Sequence, residues 1–145
     1  MSLVLPAEVR AQLFAWSAVE HPLEACGLLI GERVEGEFRV AHAVRAANVA
    51  PASRTRRFEV DPVAVVAADD EARAAGLELI GVWHSHPDRP AQPSEHDVRG
   101  AQAGWVHVIL GAANELSAWS VDAVGQLVAE RVMESEFDSG PRADG

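Results

Sequence analysis

The chain has one cysteine, Cys26, among 145 residues. A lone thiol excludes an intrachain disulfide, so nothing points to an oxidising compartment. No apolar run approaches the length of a membrane span. The opening residues, Met1-Ser2-Leu3-Val4-Leu5-Pro6, lack the basic-then-apolar order of a signal peptide. The expectation is a soluble, cytoplasmic protein. Basic charge is also scarce: 12 Lys+Arg stand against 22 Asp+Glu, a net charge of −10. Phosphate backbones need a basic surface, so nucleic acid is excluded as a partner. There is no internal repeat and no low-complexity tract. What is present is ordinary for one globular domain: 48% hydrophobic and 23% charged residues, in a chain long enough to bury a core.

Residues 6–20 read as a helix, with Pro6 at its first position and Val9, Leu13 and Trp16 on one stripe. His21-Pro22 ends it. Residues 25–31 form a short apolar strand, and 37–44 alternate as a half-buried strand does. Residues 45–57 are a basic loop, and 58–60 a short strand. Asp61 caps a second helix with Pro62 at its first position, which stops at Gly76. A strand over 77–86 follows, then a Pro-rich loop and a helix from Ser94 to Gly104. Strands at 105–111, 116–121 and 126–132 close the order. The pattern predicts an α/β fold in which a mixed, mostly antiparallel sheet is flanked by helices. Residues 1–133 form the domain and 134–145 a polar, flexible tail.

The chain is organised around His84-Ser85-His86-Pro87-Asp88-Arg89-Pro90-Ala91-Gln92-Pro93-Ser94-Glu95-His96-Asp97. On a strand, residues i and i+2 share a face, so His84 and His86 aim both imidazoles at one point while Ser85 faces away. Asp97 falls in the first turn of the following helix. Two imidazoles and a carboxylate make a three-ligand zinc site with an open position, which is the catalytic arrangement. By ligand type alone, iron or nickel also fits. Ser94-x-x-Asp97 is in addition a helix-start pattern. Asp97 does not easily cap and ligate at once, and ligation is favoured.

Taken together, Glu24, His84-Ser85-His86-Pro87, Ser94 and Asp97 resemble the JAMM (MPN+) metallopeptidase signature. That signature is a glutamate, a long gap, His-[Ser/Thr]-His, seven residues, Ser, two residues and Asp. The likeness runs over roughly residues 6–132. Glu24 stands just before the apolar segment Ala25-Cys26-Gly27-Leu28-Leu29-Ile30-Gly31, where the family places its glutamate. The resemblance implies the JAB fold, related to that of cytidine deaminases. It implies that His84, His86 and Asp97 bind Zn²⁺, that Glu24 is the general base and then the acid toward the leaving amine, and that Ser94 stabilises the oxyanion. Each role is chemically coherent for amide hydrolysis.

Within the family the chain is similar to small prokaryotic members. They act on ubiquitin-like sulfur carriers of the ThiS/MoaD type or on their conjugates, cutting after a terminal Gly-Gly to release cysteine or a lysine side chain. Such a tail would pair by strand addition with a sheet edge beside the metal. The other readings are a non-catalytic scaffold, which retention of every ligand disfavours, and a zinc amidohydrolase on a small metabolite. A deaminase would need a Cys-x-x-Cys pair, which is absent. The oligomeric state is open, and a homodimer is allowed. Of the remaining residues, Ser85 reads as structural and Cys26 as a buried, inert thiol. His107 reads as a satisfied core histidine, and His96 as pointing elsewhere on its helix. His21 and His42 are expected on the surface, and Trp83 and Trp105 in the core near the site. Arg45, Arg54, Arg56 and Arg57 form a solvated loop that could also meet an acidic face or a carboxylate of the substrate.

Overall fold

The computed structural model describes residues 2–99 and 102–135. Seven strands and three helices follow the order β1 (Ser2–Pro6), α1 (Ala7–Glu20), β2 (Cys26–Val34), β3 (Glu37–Ala46), α2 (Pro62–Ala74), β4 (Glu78–Ser85), α3 (Glu95–Arg99), β5 (Val106–Leu110), β6 (Leu116–Val121) and β7 (Leu127–Ser135). The strands close into one ring in the order β1-β3-β2-β4-β5-β6-β7. β2/β3, β2/β4, β5/β6 and β6/β7 are antiparallel. β1/β3, β1/β7 and β4/β5 are parallel. The mixed, mostly antiparallel α/β sheet is thus as expected, and its closure is the addition.

Sequence and structure agree on local chemistry. Asp61 Oδ1 accepts the Val63 N–H at 3.0 Å, which caps α2, and Pro62 follows at its start. Gly76 has φ +72°, the left-handed conformation that ends α2. Four expectations need correction. Residues 2–6 form a strand, so α1 begins at Ala7 and Pro6 precedes it. The strand expected at 58–60 reduces to one bridge, Asn48 to Val60. α3 does not reach Gly104, because residues 102–104 lie in irregular and turn structure. β7 runs to Ser135, into the segment expected to be a tail. Residues 136–145 of that expected tail lie outside the described residues.

The core has two parts. Leu3, Leu5, Val9, Leu13, Leu29, Ile80, Trp83, Val106 and Val108 pack between the sheet and α1. Leu28, Ile30, Val82, Ala68 and Ala72 pack under α2, with Phe58, Val65 and Trp105 at the margin. Trp83 is fully buried, and its indole N–H donates to the Val44 carbonyl at 3.0 Å. Burying such a ring, on the order of 200 Å² at about 25 cal/mol per Å², contributes roughly 5 kcal/mol. The indole lies across Gly27: a Cβ there would sit 1.8 Å from the Val44 oxygen and 2.4 Å from Trp83 Nε1. Opposite β2, register shifts past Ile80, an extra residue on β4. Beyond it Val82 packs under α2 and Trp83 under α1, which sets the phase for the histidines that follow.

Candidate metal and catalytic site

β4 carries His84 at its end, and His86 lies one residue past it. Both are buried. Ser85 points the other way and is structural as expected: its hydroxyl accepts the Ala25 N–H at 2.8 Å, and its own N–H donates to the Ala25 carbonyl at 3.0 Å. This crossed pair welds the end of β4 to the residue after Glu24. The His86 N–H donates to the Leu110 carbonyl of β5 at 2.7 Å. β4 is therefore paired on both sides, with β2 and β5. The strand that bears the histidines therefore offers no free edge to a substrate tail. Outside the ring, the Asn48–Val60 bridge lies beside Glu24, whose carbonyl accepts from Asn48 Nδ2.

Three ligand groups meet. His84 Nε2 and His86 Nε2 are 3.1 Å apart, and each lies 3.2 Å from one oxygen of Asp97. His86 Nδ1 lies 2.9 Å from the Pro90 carbonyl. Donation there places the His86 proton on Nδ1 and leaves Nε2 as a lone pair, the tautomer a metal ligand needs. Phe58 stacks on the His84 ring at 4.2 Å and 17°, which fixes its plane. The Glu24 carboxylate closes the group, within 4.8 Å of ligand atoms of both histidines. Lone pairs converging in a buried space, with Glu24 Oε1 and His84 Nδ1 buried and unpartnered among the described residues, are what a cation-binding centre presents.

Asp97 makes the helix cap that the sequence pattern set against ligation, and it still faces both imidazoles. Its Oδ2 accepts the Ser94 N–H at 2.8 Å while its own N–H donates to Ser94 Oγ at 3.2 Å, a capping box. The same carboxylate faces both imidazoles, because each oxygen has two acceptor directions. Burial would raise its pKa, but the imidazoles of His84 and His86 set against its two oxygens outweigh this and hold Asp97 well below the usual carboxylate range. Burial lowers the His84 pKa and keeps the ring neutral. Burial pushes Glu24 up to about 7, against the lowering pull of His86 and Arg89.

Several residues near the site escaped the sequence reading. Arg89 Nη2 donates to Glu24 Oε2 at 2.7 Å. Asn48 Nδ2 donates to the carbonyls of Glu24 and Arg57, at 3.1 and 2.9 Å, and the Glu24 N–H donates to the Arg54 carbonyl at 2.8 Å. The arginine loop is thus anchored to the main chain of Glu24, while Arg45, Arg54, Arg56 and Arg57 remain exposed. A lone Asn in a basic loop, and one Arg among prolines, were the only signals. Cys26 is buried and its thiol is pushed up to about 12 by burial, hence inert as expected. His107 is buried, but neither ring nitrogen has a partner among the described residues, so it is not the satisfied histidine expected. His96 stands outside the ligand group and lines a cavity of about 270 Å³ with Asp97, His107, Phe58, Val82 and Trp105. His21 and His42 are exposed. No helix among the described residues is long and apolar enough to cross a membrane.

A closed mixed sheet with His-x-His at the end of β4, an Asp opening α3 and a buried Glu before β2 defines a metallohydrolase of the JAMM type. The family model for prokaryotic homologues of the JAB domain matches residues 6–122, and the chain belongs to that family. It is 30% identical over 132 residues to a desampylase of Haloferax volcanii, covering 86% of this chain and 93% of that one. It is 35% identical over 104 residues to a probable TtuB-protein conjugate cleaving protease of Thermus thermophilus, covering 72% of this chain but 64% of the relative. Among solved structures, a protein from Desulfitobacterium hafniense superposes with a TM-score of 0.83 at 25% identity, covering 94% of both chains.

Proposed function

We propose that the chain hydrolyses the amide bond after the C-terminal Gly-Gly of a ubiquitin-like protein, releasing cysteine or a conjugated lysine, with zinc as its metal. The observation that carries this is the convergence of His84 Nε2, His86 Nε2 and Asp97 beside a buried carboxylate with one oxygen unpartnered among the described residues. The desampylase and the conjugate-cleaving protease named above support ubiquitin-like conjugates as the kind of substrate. A ThiS/MoaD-type sulfur carrier is the partner we favour.

His84, His86 and Asp97 would hold the metal. When bound, a divalent zinc ion supplies Lewis acidity that polarises a carbonyl and brings water's pKa from 15.7 toward ~7. Glu24 takes the proton of the attacking water on Oε1 and delivers it to the departing amine nitrogen. Burial favours the protonated form of Glu24, which helps it hold that proton between the two steps. Ser94 Oγ accepts the Asp97 N–H, and its hydroxyl proton is free to donate to the developing oxyanion. Burial of all four ionisable groups keeps bulk water from competing.

The test is cleavage of a Gly-Gly-terminated sulfur carrier bearing a C-terminal cysteine, followed by mass spectrometry with zinc, with chelator and with Glu24→Gln. We expect cysteine release that stops with chelator and falls about 10²–10⁴-fold in the variant. Release that survives both would refute the mechanism. No release from this carrier or from lysine-linked conjugates would move the activity to a small-molecule amide.

A further inference from the structure

The Glu24 carboxylate has a single side-chain partner among the described residues. Arg89 lies three residues past His86, and its Nη2 donates to Glu24 Oε2 at 2.7 Å and to the Arg56 carbonyl at 3.2 Å. The Glu24 side chain is 1% exposed and that of Arg89 22%, so water screens the contact little. Otherwise Glu24 is held only through its main chain, by Arg54 and Asn48. A glutamate has three side-chain torsions, and a fixed backbone leaves its carboxylate several rotamers. Anchoring Oε2 removes that freedom and leaves Oε1, which is buried and without a partner among the described residues, as the oxygen available for chemistry.

We infer that Arg89 is a positioning residue for Glu24: it fixes one carboxylate oxygen so that the other meets the reacting water, and through the Arg56 carbonyl it ties that base to the arginine loop. The inference rests on the peptidase reading of the site. One guanidinium nitrogen carries two N–H groups and serves both acceptors from one planar head, a geometry that an ammonium on a shorter reach does not reproduce. A base displaced by about 1 Å loses on the order of 10²-fold in rate. The role does not require Arg89 to touch substrate or metal.

The experiment compares Arg89→Ala, Arg89→Lys, Glu24→Ala and the double variant Glu24→Ala/Arg89→Ala, each loaded with one equivalent of zinc and assayed in single turnover on the carrier–cysteine substrate. We expect Arg89→Ala to lower kcat roughly 10²-fold with KM changed less than about twofold. Removing Arg89 in the Glu24→Ala background should cost nothing further, because the two residues act as one unit. Arg89→Lys should recover part of kcat, and added guanidinium should rescue Arg89→Ala but not Glu24→Ala. Zinc stoichiometry, measured separately, should stay at one in every variant. A loss carried by KM would overturn the inference in favour of substrate binding. An additive loss in the double variant would show that Arg89 acts apart from Glu24. If Arg89→Ala does not fold, Arg89→Lys and Arg89→Gln carry the same comparison. An inactive wild-type protein would sink the peptidase reading and the catalytic role with it. A thermal-unfolding cycle on wild type, Glu24→Ala, Arg89→Ala and the double variant would still report whether the pair is coupled, so the two failures remain distinct.

Discussion

Replacing His107 by Leu should stabilise the protein, and by more in acid than in base. The imidazole is 4% exposed and both ring nitrogens lack partners among the described residues. Its neighbours around the cavity include Val82, Phe58 and Trp105. Leaving a polar group buried without a hydrogen bond costs about 1–3 kcal/mol, which leucine avoids at nearly equal volume. The second contribution depends on pH. Burial first, then the nearby His84, lowers the His107 pKa from 6.5 to about 4. The unfolded chain therefore binds a proton that the folded one refuses, and stability falls as pH drops below 6.5. The loss at pH 5 relative to pH 8 is RT ln[(1 + 10^1.5)/(1 + 10^−1)], about 2 kcal/mol, and it levels off at about 3 kcal/mol below pH 4. Urea unfolding of wild type and His107→Leu at pH 8, 7, 6 and 5 reads the gap directly, with equal m-values as the control. The subtraction cancels Glu24, His84 and Asp97, which titrate in both proteins. A gap that stays constant over this range would refute the reasoning, since it would mean that the folded state protonates the ring as readily as the unfolded chain. A gap that widens in acid but vanishes at pH 8 would place a water on the ring.

Two further substitutions separate architecture from chemistry. Ser94→Ala removes the acceptor of the Asp97 N–H and should cost about 1 kcal/mol in unfolding free energy. If the hydroxyl also serves the oxyanion, kcat should fall about 10²–10³-fold, far beyond the stability effect; steady-state kinetics beside a thermal melt tells the two apart. Gly27→Ala would put a methyl 1.8 Å from the Val44 oxygen and break the Trp83–Val44 hydrogen bond, so urea unfolding should show a loss of about 2–6 kcal/mol.

The parts of the site that were legible in the sequence are those set by short spacing. His84 and His86 converge because a strand repeats every second residue, and Asp97 reaches them from the first turn of α3. The α2 start was legible because Asp61 and Pro62 act locally. β1 was not, because Ser2–Pro6 pairs with β3 and β7, and no local pattern announces partners more than thirty and a hundred residues away. The Arg89–Glu24 contact spans 65 positions, so the proline-rich loop gave only its spacing. His107 was placed correctly in a buried strand, but whether a buried ring finds a partner is decided by its neighbours in space, here Val82 on one strand and Trp119 on the other. Asp97 was set as cap or ligand because a sequence names a residue once, whereas a carboxylate has two oxygens to spend.

With Asp97 as the proposed metal ligand, its second use as the cap of α3 bears on how the centre survives between metal ions. A ligand that also closes a helix start is held by the main chain whether or not a cation is present. The entropy of ordering it is met during folding, not during capture. Emptying such a centre leaves the carboxylate where it was, so the fold need not be rebuilt each time the ion is exchanged. The same economy carries a liability. A substitution chosen to weaken the metal at Asp97 also unwinds the first turn of α3, and loss of activity there could never be assigned to the metal alone.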